Sequence, residues 1–505
     1  MDTQGTVHRN ASPFEWHFLE KTSDWLLVCI PILVLLILTI PYLSRGYWDD
    51  EIFSVIISRS WSDLRENLRN YETNMSLYYI VLYGWMRIFG EGEITTHILS
   101  LIFASSSLAV FYKLARIWLN KSTALMGGLL FAANSLFAFH SIEARSYSML
   151  VLACNISSLV FVRLVRKPGI WLAACYGLSV VACIYVHYFG ILLILVHGFT
   201  ISYRKLTRPR FKYFFLSGIL IFLGILPLLL IPVHNKSQID WISKPDLKYL
   251  WYTYKDLVGG GYDFLVLLVC LFFVVKNRFW RNVSDSEIFL QRLALTWTII
   301  PTILLFIFSY VEKPVFLTRY FIWCLPGAVL LTCLIIAYTG WDNIRKSIVW
   351  LLLLTIMLKR SYVGLSLRGS GYKEAVQYLN ETVRPGESVL TYPYYKSVHI
   401  LFYLEKMQTP NPFVKPVSIT KFSYLAGGGG RDPDPDLTLL EKVAADRGKI
   451  YLIVREKWDS HYSDSIQNRN WLPEIRKIIQ NKHPKQQKKI FGFGSMEPIG
   501  IIIYE

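Results

Sequence analysis

Charge is scarce in this 505-residue chain: Asp, Glu, Lys and Arg make up 18% of it, against roughly 25% in ordinary globular proteins. Acids are scarcest in the long apolar blocks, which hold almost none. Cysteine is sparse as well. Cys29, Cys154, Cys175, Cys183, Cys270, Cys324 and Cys333 all fall in apolar runs, none has CxxC spacing, and none follows Cys333. That argues against a zinc or redox motif and leaves the last third without disulfides. No internal repeat is visible. The first apolar stretch has no basic leader and no small-x-small cleavage site before Tyr42-Leu43, so it is expected to be a retained anchor.

Apolar residues are abundant: 53% are hydrophobic and 15% aromatic, gathered in long blocks. This excludes a disordered chain, a disulfide scaffold and a purely cytosolic enzyme. The excess of 53 basic over 36 acidic residues, +17 in all, is assigned to anionic lipid head groups and to the positive-inside bias rather than to nucleic acid.

A helix needs about 20 apolar residues to cross a bilayer. Eleven spans are expected, at 25–43, 95–119, 122–140, 147–166, 170–186, 188–204, 211–232, 261–276, 288–309, 320–339 and 345–363. Lys and Arg set their orientation. Lys113/Arg116/Lys121, Arg163/Arg166/Lys167, the basic run 204–212, Lys276/Arg278/Arg281 and Arg345/Lys346 mark one set of loops as cytoplasmic. The alternate loops are poor in basic residues. Met75–Gly90 is too short and too rich in Tyr and Trp to span, and is expected to lie in the outer interface as an amphipathic helix. Trp61–Tyr71 reads as a second short amphipathic segment.

An odd span count puts the C-terminus outside. There YKEAVQYLNETV, SVHILFYLEK and LPEIRKIIQNK have helical spacing, while ESVLTYP, KIYLIVRE and IGIIIYE read as strands. The expected fold class is a multi-pass α-helical membrane protein with a C-terminal extracytoplasmic α/β domain. The boundary falls between 1–365, with an outer loop at 44–94, and 366–505. Gly427–Gly430 with RDPDPD reads as a flexible loop, lacking the strand and helix that would frame a phosphate cradle.

The acids gather at span mouths on the outer side, where four loops carry candidate chemistry. Trp48-Asp49-Asp50-Glu51 puts three carboxylates in a row, which need cations, a metal or hydrogen-bond donors to stay ionised together. Capping of a helix by Asp49 or Asp50 is the structural alternative. His140-Ser-Ile-Glu143-Ala-Arg145-Ser-Tyr147 offers a guanidinium fork suited to phosphate, or else a Glu–Arg surface pair. His187-Tyr188-Phe189 sits at a tight outer turn, as a functional or a structural histidine. Lys313 and Arg319-Tyr320 suit phosphate binding or interfacial snorkelling equally; Lys359 and Arg360 lean to snorkelling.

At these residues the chain resembles the membrane-embedded GT-C glycosyltransferases, and among them the bacterial family 39, protein mannosyltransferase-like group. The resemblance runs through Asp50-Glu51-Ile-Phe-Ser, Leu77-Tyr78-Tyr79 to Arg87-Ile-Phe-Gly90, Ser141-Ile-Glu143-Ala-Arg145-Ser-Tyr147, His187-Tyr188-Phe189 and Arg319-Tyr320 with Pro326. It extends to Tyr372-Lys-Glu-Ala-Val-Gln-Tyr-Leu and Arg384-Pro-Gly, covering most of the chain. Departures are Asn74-Met75-Ser76 where the family often has His-Pro-Pro, and Ile142 where it often has Gln. The resemblance implies an enzyme of the bacterial plasma membrane that moves a sugar from a polyprenyl-phosphate carrier to an acceptor on the extracytoplasmic side. Asp50 is then the expected base, with Glu51 as its orienting or acceptor-binding partner. Arg145, Arg319, Tyr320 and Lys313 are expected at the donor phosphate. Asp49, Glu143, Tyr147, His187 and Tyr188 support them, with a divalent metal at Glu143 and His187 left open. The expected partners are the lipid-linked sugar donor, membrane lipids and an acceptor not specified by the sequence. A transporter or flippase for a lipid-linked anion is the alternative.

Overall fold

In lipid every backbone N–H and C=O must find a partner within the chain, and long apolar runs meet that demand as helices. The computed structural model describes residues 15–70, 74–202, 207–230, 242–277, 284–392, 396–419, 435–446, 448–455, 471–492, 495 and 497–505. Among them, seven helices are long and apolar enough to cross a bilayer: Asp24–Tyr42, Glu93–Ala115, Tyr147–Arg166, Arg210–Leu230, Asp285–Val311, Thr318–Ala337 and Asn343–Ser366. Leu247–Leu257 and Gly261–Lys276 pass the same test only together, bent by 81°. The shorter apolar helices Ile170–Val186 and Tyr188–Ile201, and the broken pair Lys121–Ala133 and Ser135–His140, stand where three further spans are expected. The chain is an integral membrane protein.

The described chain divides into two compact units. One holds residues up to Leu43, Thr73–Pro232 and Lys244–Leu365; the other holds Ser44–Glu72, Val233–Ser243 and Ser366–Glu505. The second unit therefore takes in the segment of the acidic motif as well as the C-terminal third.

In the first unit Glu93–Ala115 packs on Tyr147–Arg166, which packs on Ile170–Val186, which in turn meets Arg208–Leu230. Asp285–Val311 lies between Leu192–Ile201 and Leu325–Ala337. Apolar side chains also cover the outside: Trp171, Phe222, Leu229 and Leu230 are all exposed, as suits a surface whose solvent is lipid. The helix Ser76–Phe89 occupies the stretch expected at the interface. Polar groups deep in the bundle are satisfied internally. His197 bonds Ser158 Oγ at 3.1 Å and Tyr176 Oη at 3.0 Å and stacks on Phe161. Asn134 caps the helix after it and donates to Asp256 O at 3.1 Å. The 81° bend runs through Gly259, at φ +112, a conformation only glycine adopts cheaply. Arg360 does not snorkel outward. Its guanidinium braces the bend, 2.6 Å from Asp256 Oδ1 and 3.2 Å from Gly259 O.

The second unit contains a five-stranded mixed sheet. Its strands are β1 (Ser388–Thr391), β2 (Pro416–Ser418), β3 (Ile450–Arg455), β4 (Gln486–Phe491) and β5 (Ile499–Tyr504), in the order β2-β1-β3-β5-β4. The β2-β1-β3 pairs are parallel, joined through the helices Lys396–Glu405 and Leu437–Ala444; β3-β5-β4 is antiparallel. β5 is buried along its whole length, and Leu390, Leu452, Val454 and Ile502 pack against Leu440, Ile475 and Ile479 of the helices. Edge strand β4 reads QQKKIF and keeps its first three side chains exposed; charged residues on an edge discourage pairing with other chains. Each of the six segments anticipated as helix or strand in the C-terminal third is found as that element. β2, β4 and Leu437–Ala444 were not anticipated. Gly427–Gly430 lies outside the described residues, although β2 and Leu437–Ala444 do supply the strand and helix that the sequence reading found missing there.

One turn in the first unit tolerates no side chain. Gly190 N–H donates to His187 O at 2.8 Å, and a Cβ on Gly190 would meet Cys183 O at 2.5 Å. Backbone cannot yield as a flexible side chain does, so Gly190→Ala should destabilise by about 1–3 kcal/mol. Thermal unfolding of the detergent-solubilised variant should fall by several degrees; an unchanged melt would mean that the turn relaxes freely.

Candidate functional site

The candidate residues fall into two clusters, one in each unit. In the second unit, Trp48-Asp49-Asp50-Glu51 opens the helix Asp49–Ile57. Neither Asp49 nor Asp50 caps it. The N-cap is Trp48 in extended backbone, and Glu51 at the third helical position folds back so that its Oε2 accepts the Trp48 N–H at 3.3 Å. All three acids thus sit in the first turn, where the positive end of the helix dipole favours carboxylates.

The dipole alone does not hold three carboxylates together; cations do. Glu51 is buried, and its Oε1 takes Arg368 Nη2 at 2.7 Å. Asp49 Oδ1 lies 3.2 Å from Lys396 Nζ, 2.7 Å from Tyr372 Oη and 3.0 Å from His399 Nε2. Lys396 is wholly buried, in contact with Tyr372 Oη and 2.5 Å from Glu497 Oε1. The other Glu497 oxygen accepts the Asp49 N–H at 3.2 Å. His399 stacks on Tyr372 and meets Phe53 edge-on. Nearby, Tyr47 N–H donates to Tyr403 Oη at 2.8 Å, and Arg45 donates to Ser366 O and Arg368 O, each at 2.7 Å.

Helical geometry separates the three acids. Successive residues turn about 100°, so Asp49 and Glu51 face opposite sides and the half-buried Asp50 points between them. The outer two are committed to buried ion pairs. Glu51, expected to work beside the base, is placed as an anchor: both of its oxygens are engaged inside the protein.

In the first unit three loops converge. Tyr147 is buried within electrostatic reach of Arg319, Arg145, Tyr320 and Glu143. His187 is buried beside the same two arginines and 5.3 Å ring to ring from Tyr320. Glu143 is fully buried and pairs with His140 Nδ1, so it is no surface carboxylate. Its backbone carbonyl accepts from Ser100 and from Arg145 N–H, closing the turn that presents Arg145. The tight Thr318–Cys324 turn presents Arg319, whose guanidinium lies 5.7 Å from the Tyr320 ring centre. Tyr188 N–H donates to Asn74 Oδ1 at 3.0 Å. Lys313 is half-buried on the stretch between Asp285–Val311 and this turn.

The departure at Asn74-Met75-Ser76 has a backbone consequence. Met75 takes φ +63, which proline, fixed near −65°, could not adopt. Among the described residues no three His, Cys, Asp or Glu side chains converge as a metal site would require; Glu143 is instead occupied by His140.

Sequence reasoning missed Arg368, Lys396, His399 and Glu497 altogether, and gave Tyr372 no role. The one local signal is that Lys396 and His399, three apart, share a helix face.

No protein-family model matches this chain, and no curated protein matches it. Solved structures do. ArnT from Cupriavidus metallidurans in the apo state matches with TM-score 0.57 at 13% identity, over 95% of this chain and 97% of that one. ArnT bound to undecaprenyl phosphate matches at 0.53 and 12%, over 95% and 98%. The mycobacterial arabinofuranosyltransferase AftD matches at 0.51 and 11%, over 98% of this chain but 42% of that one. The chain has the fold of the GT-C membrane glycosyltransferases.

Burial first, and then the charges of Arg145 and Arg319, push the His187 imidazole down to about 3. In the unfolded chain it titrates near 6.5. Acid therefore protonates the unfolded state first, and stability present above about pH 6.5 is lost as the pH falls towards 3, by up to ~1.4 kcal/mol per unit. Denaturant unfolding at pH 7 and pH 5 should show His187→Asn losing about 2 kcal/mol less than the wild type. Equal losses would mean that His187 is protonated in the folded protein.

Proposed function

We propose that this chain is an inverting glycosyltransferase of the family 39 type. It moves a sugar from a polyprenyl-phosphate carrier to an acceptor on the extracytoplasmic side of the plasma membrane. The observation that carries the reading is the division of labour in the acidic triplet. Asp49 and Glu51 are bound into ion pairs, and Asp50, half-buried between them in the first helical turn, is assigned to chemistry. The GT-C fold supports it, as does the ArnT structure that holds undecaprenyl phosphate.

The chemistry needs few groups. An acceptor hydroxyl is a poor nucleophile and requires a base. Asp50 takes its proton as the oxygen attacks the anomeric carbon. The bond to the phosphate oxygen breaks on the opposite face, which inverts the centre. The leaving lipid phosphate is a stable anion, so no strong acid is needed; cations that neutralise it suffice. Arg145 and Arg319 are assigned to it, with Tyr320 and Tyr147 beside them and Lys313 as a further candidate. The buried, neutral His187 adds no charge of its own to that cationic cluster.

The rival reading is a transporter for a lipid-linked anion, which would use ionisable or broken-helix features near the midplane. The bend at Gly259 favours it most, but Arg360 and Asp256 fill that break with their own ion pair. The midplane His197 is satisfied by Ser158 and Tyr176.

Sugar transfer by purified protein from a polyprenyl-phosphate-sugar donor tests the proposal. Asp50→Asn keeps size and polarity but cannot accept a proton, and should cost about 100- to 10,000-fold in rate with donor binding retained. Arg145→Ala removes a charge-assisted pair worth about 2–5 kcal/mol in a desolvated site, so donor affinity should fall at least ~10-fold. Arg145→Lys should not restore it fully, since lysine lacks the two-donor fork. Normal turnover in Asp50→Asn together with normal donor affinity in Arg145→Ala would sink the mechanism.

A further inference from the structure

We infer that Lys396, a residue of the C-terminal α/β region, is a positioning residue for transfer: clamped between Asp49 and Glu497, it sets the direction of the Asp50 carboxylate and offsets the like charge beside it. The inference rests on the assignment of Asp50 as base. It gives the C-terminal region a part in the chemistry, beyond the shaping of acceptor access that its distance along the chain suggests.

The argument begins with burial. The Lys396 side chain has no exposure at all, and an ammonium in such a place persists only if paired. It has two carboxylates: Glu497 Oε1 at 2.5 Å and Asp49 Oδ1 at 3.2 Å. Asp49 is the first residue of the helix Asp49–Ile57. It is gripped twice, through its carboxylate by Lys396 and Tyr372 and through its N–H by Glu497 Oε2 at 3.2 Å. A helix whose first residue is fixed in both backbone and side chain has little freedom to rotate. Asp50, the next residue, inherits its direction. On the far side the Glu51–Arg368 pair at 2.7 Å resists the same rotation.

The second half concerns charge. Asp49 is a carboxylate one residue from the base, and a like charge that close disfavours ionisation. Lys396 neutralises it, and Glu497 draws part of that neutralisation away. The two partners therefore act on Asp50 with opposite sign. Removing the ammonium leaves the Asp49 charge beside Asp50 unopposed. Removing the Glu497 charge leaves Lys396 wholly to Asp49. His399, also at Asp49, and the neutral Tyr372 complete the groups facing this pair. The Glu51–Arg368 pair is a constant background.

The experiment measures the pH–rate profile of transfer by the full-length protein, with binding of the lipid-phosphate donor measured separately. Glu497→Gln preserves shape and should move the acid-side limb of kcat down. Lys396→Met should move it up by about one pH unit or more and cut the rate at neutral pH at least ~10-fold, with donor Kd within about twofold of wild type. Both variants are also made with His399→Gln, so that the limb followed is not the histidine's. Opposite shifts of one limb support the proposal, because loosening of the fold would move neither in a signed way. Should Lys396→Met fail to fold, Glu497→Gln alone decides. Unmoved limbs in a protein that Asp50→Asn inactivates would overturn the role of Lys396 and leave the transferase reading standing. Full activity in Asp50→Asn would instead remove the base assignment, and this inference with it.

Discussion

Three adjacent carboxylates on one turn of helix repel each other, and taking any of them out of water adds a desolvation cost of several kcal/mol. The second unit is organised around that constraint. Arg368 meets Glu51 at 2.7 Å, Lys396 meets Asp49 at 3.2 Å, and Glu497 binds Lys396 from the other side. The aromatic shell of Tyr372, His399 and Phe53 keeps water from this network. Each charge answers another, so the pairs reinforce one another as a network. The helix Asp49–Ile57 is short; Ile52 and Val55 bury its middle, and its start is set by ion pairs.

The first unit solves the converse problem, the crowding of cations. Arg145 and Arg319 come from different turns to the same buried surroundings, among Tyr147, Tyr320 and a histidine held neutral. On the proposed reading, an anionic lipid phosphate is what these two guanidiniums receive. The turns around them are stiff: at the His187 turn Gly190 packs its backbone against Cys183 O, and in the Arg145 turn Glu143 is tied to His140. Such rigidity is what a phosphate clamp needs, since flexible cations lose in ordering what they gain in attraction.

What was legible in the sequence follows the range of the interactions. Seven of the eleven expected spans were legible because lipid demands uninterrupted apolar helices, and Tyr147–Arg166 falls where 147–166 was expected. IGIIIYE was legible as a strand because burial on both faces leaves an unbroken apolar run. β4 was not, since QQKKIF at an edge carries no apolar alternation, and β2 is three residues long. The acid triplet and the cationic loops stood out by local density and by recurring at span mouths. Their partners did not. Lys396 and Asp49 are 347 residues apart, and Arg368 and Glu51 are 317 apart. Lys396 in KSVHILFYLE reads as the polar edge of an ordinary amphipathic helix. Only the folded chain puts a carboxylate on either side of it.

Those separations have a consequence for biogenesis. The ribosome makes Asp49 347 residues ahead of Lys396 and 448 ahead of Glu497, so the acid triplet must wait for its counter-charges. Glu497 is held by backbone bonds to Gly369 and Gly371 and leads into the strand Ile499–Tyr504, which pairs between β3 and β4; without Glu497 the Lys396–Asp49 clasp is incomplete. A chain that stops short can insert every one of its apolar helices and still lack an ordered acidic helix. The molecule thereby couples two distant segments: a stretch made late completes the setting of a helix made early.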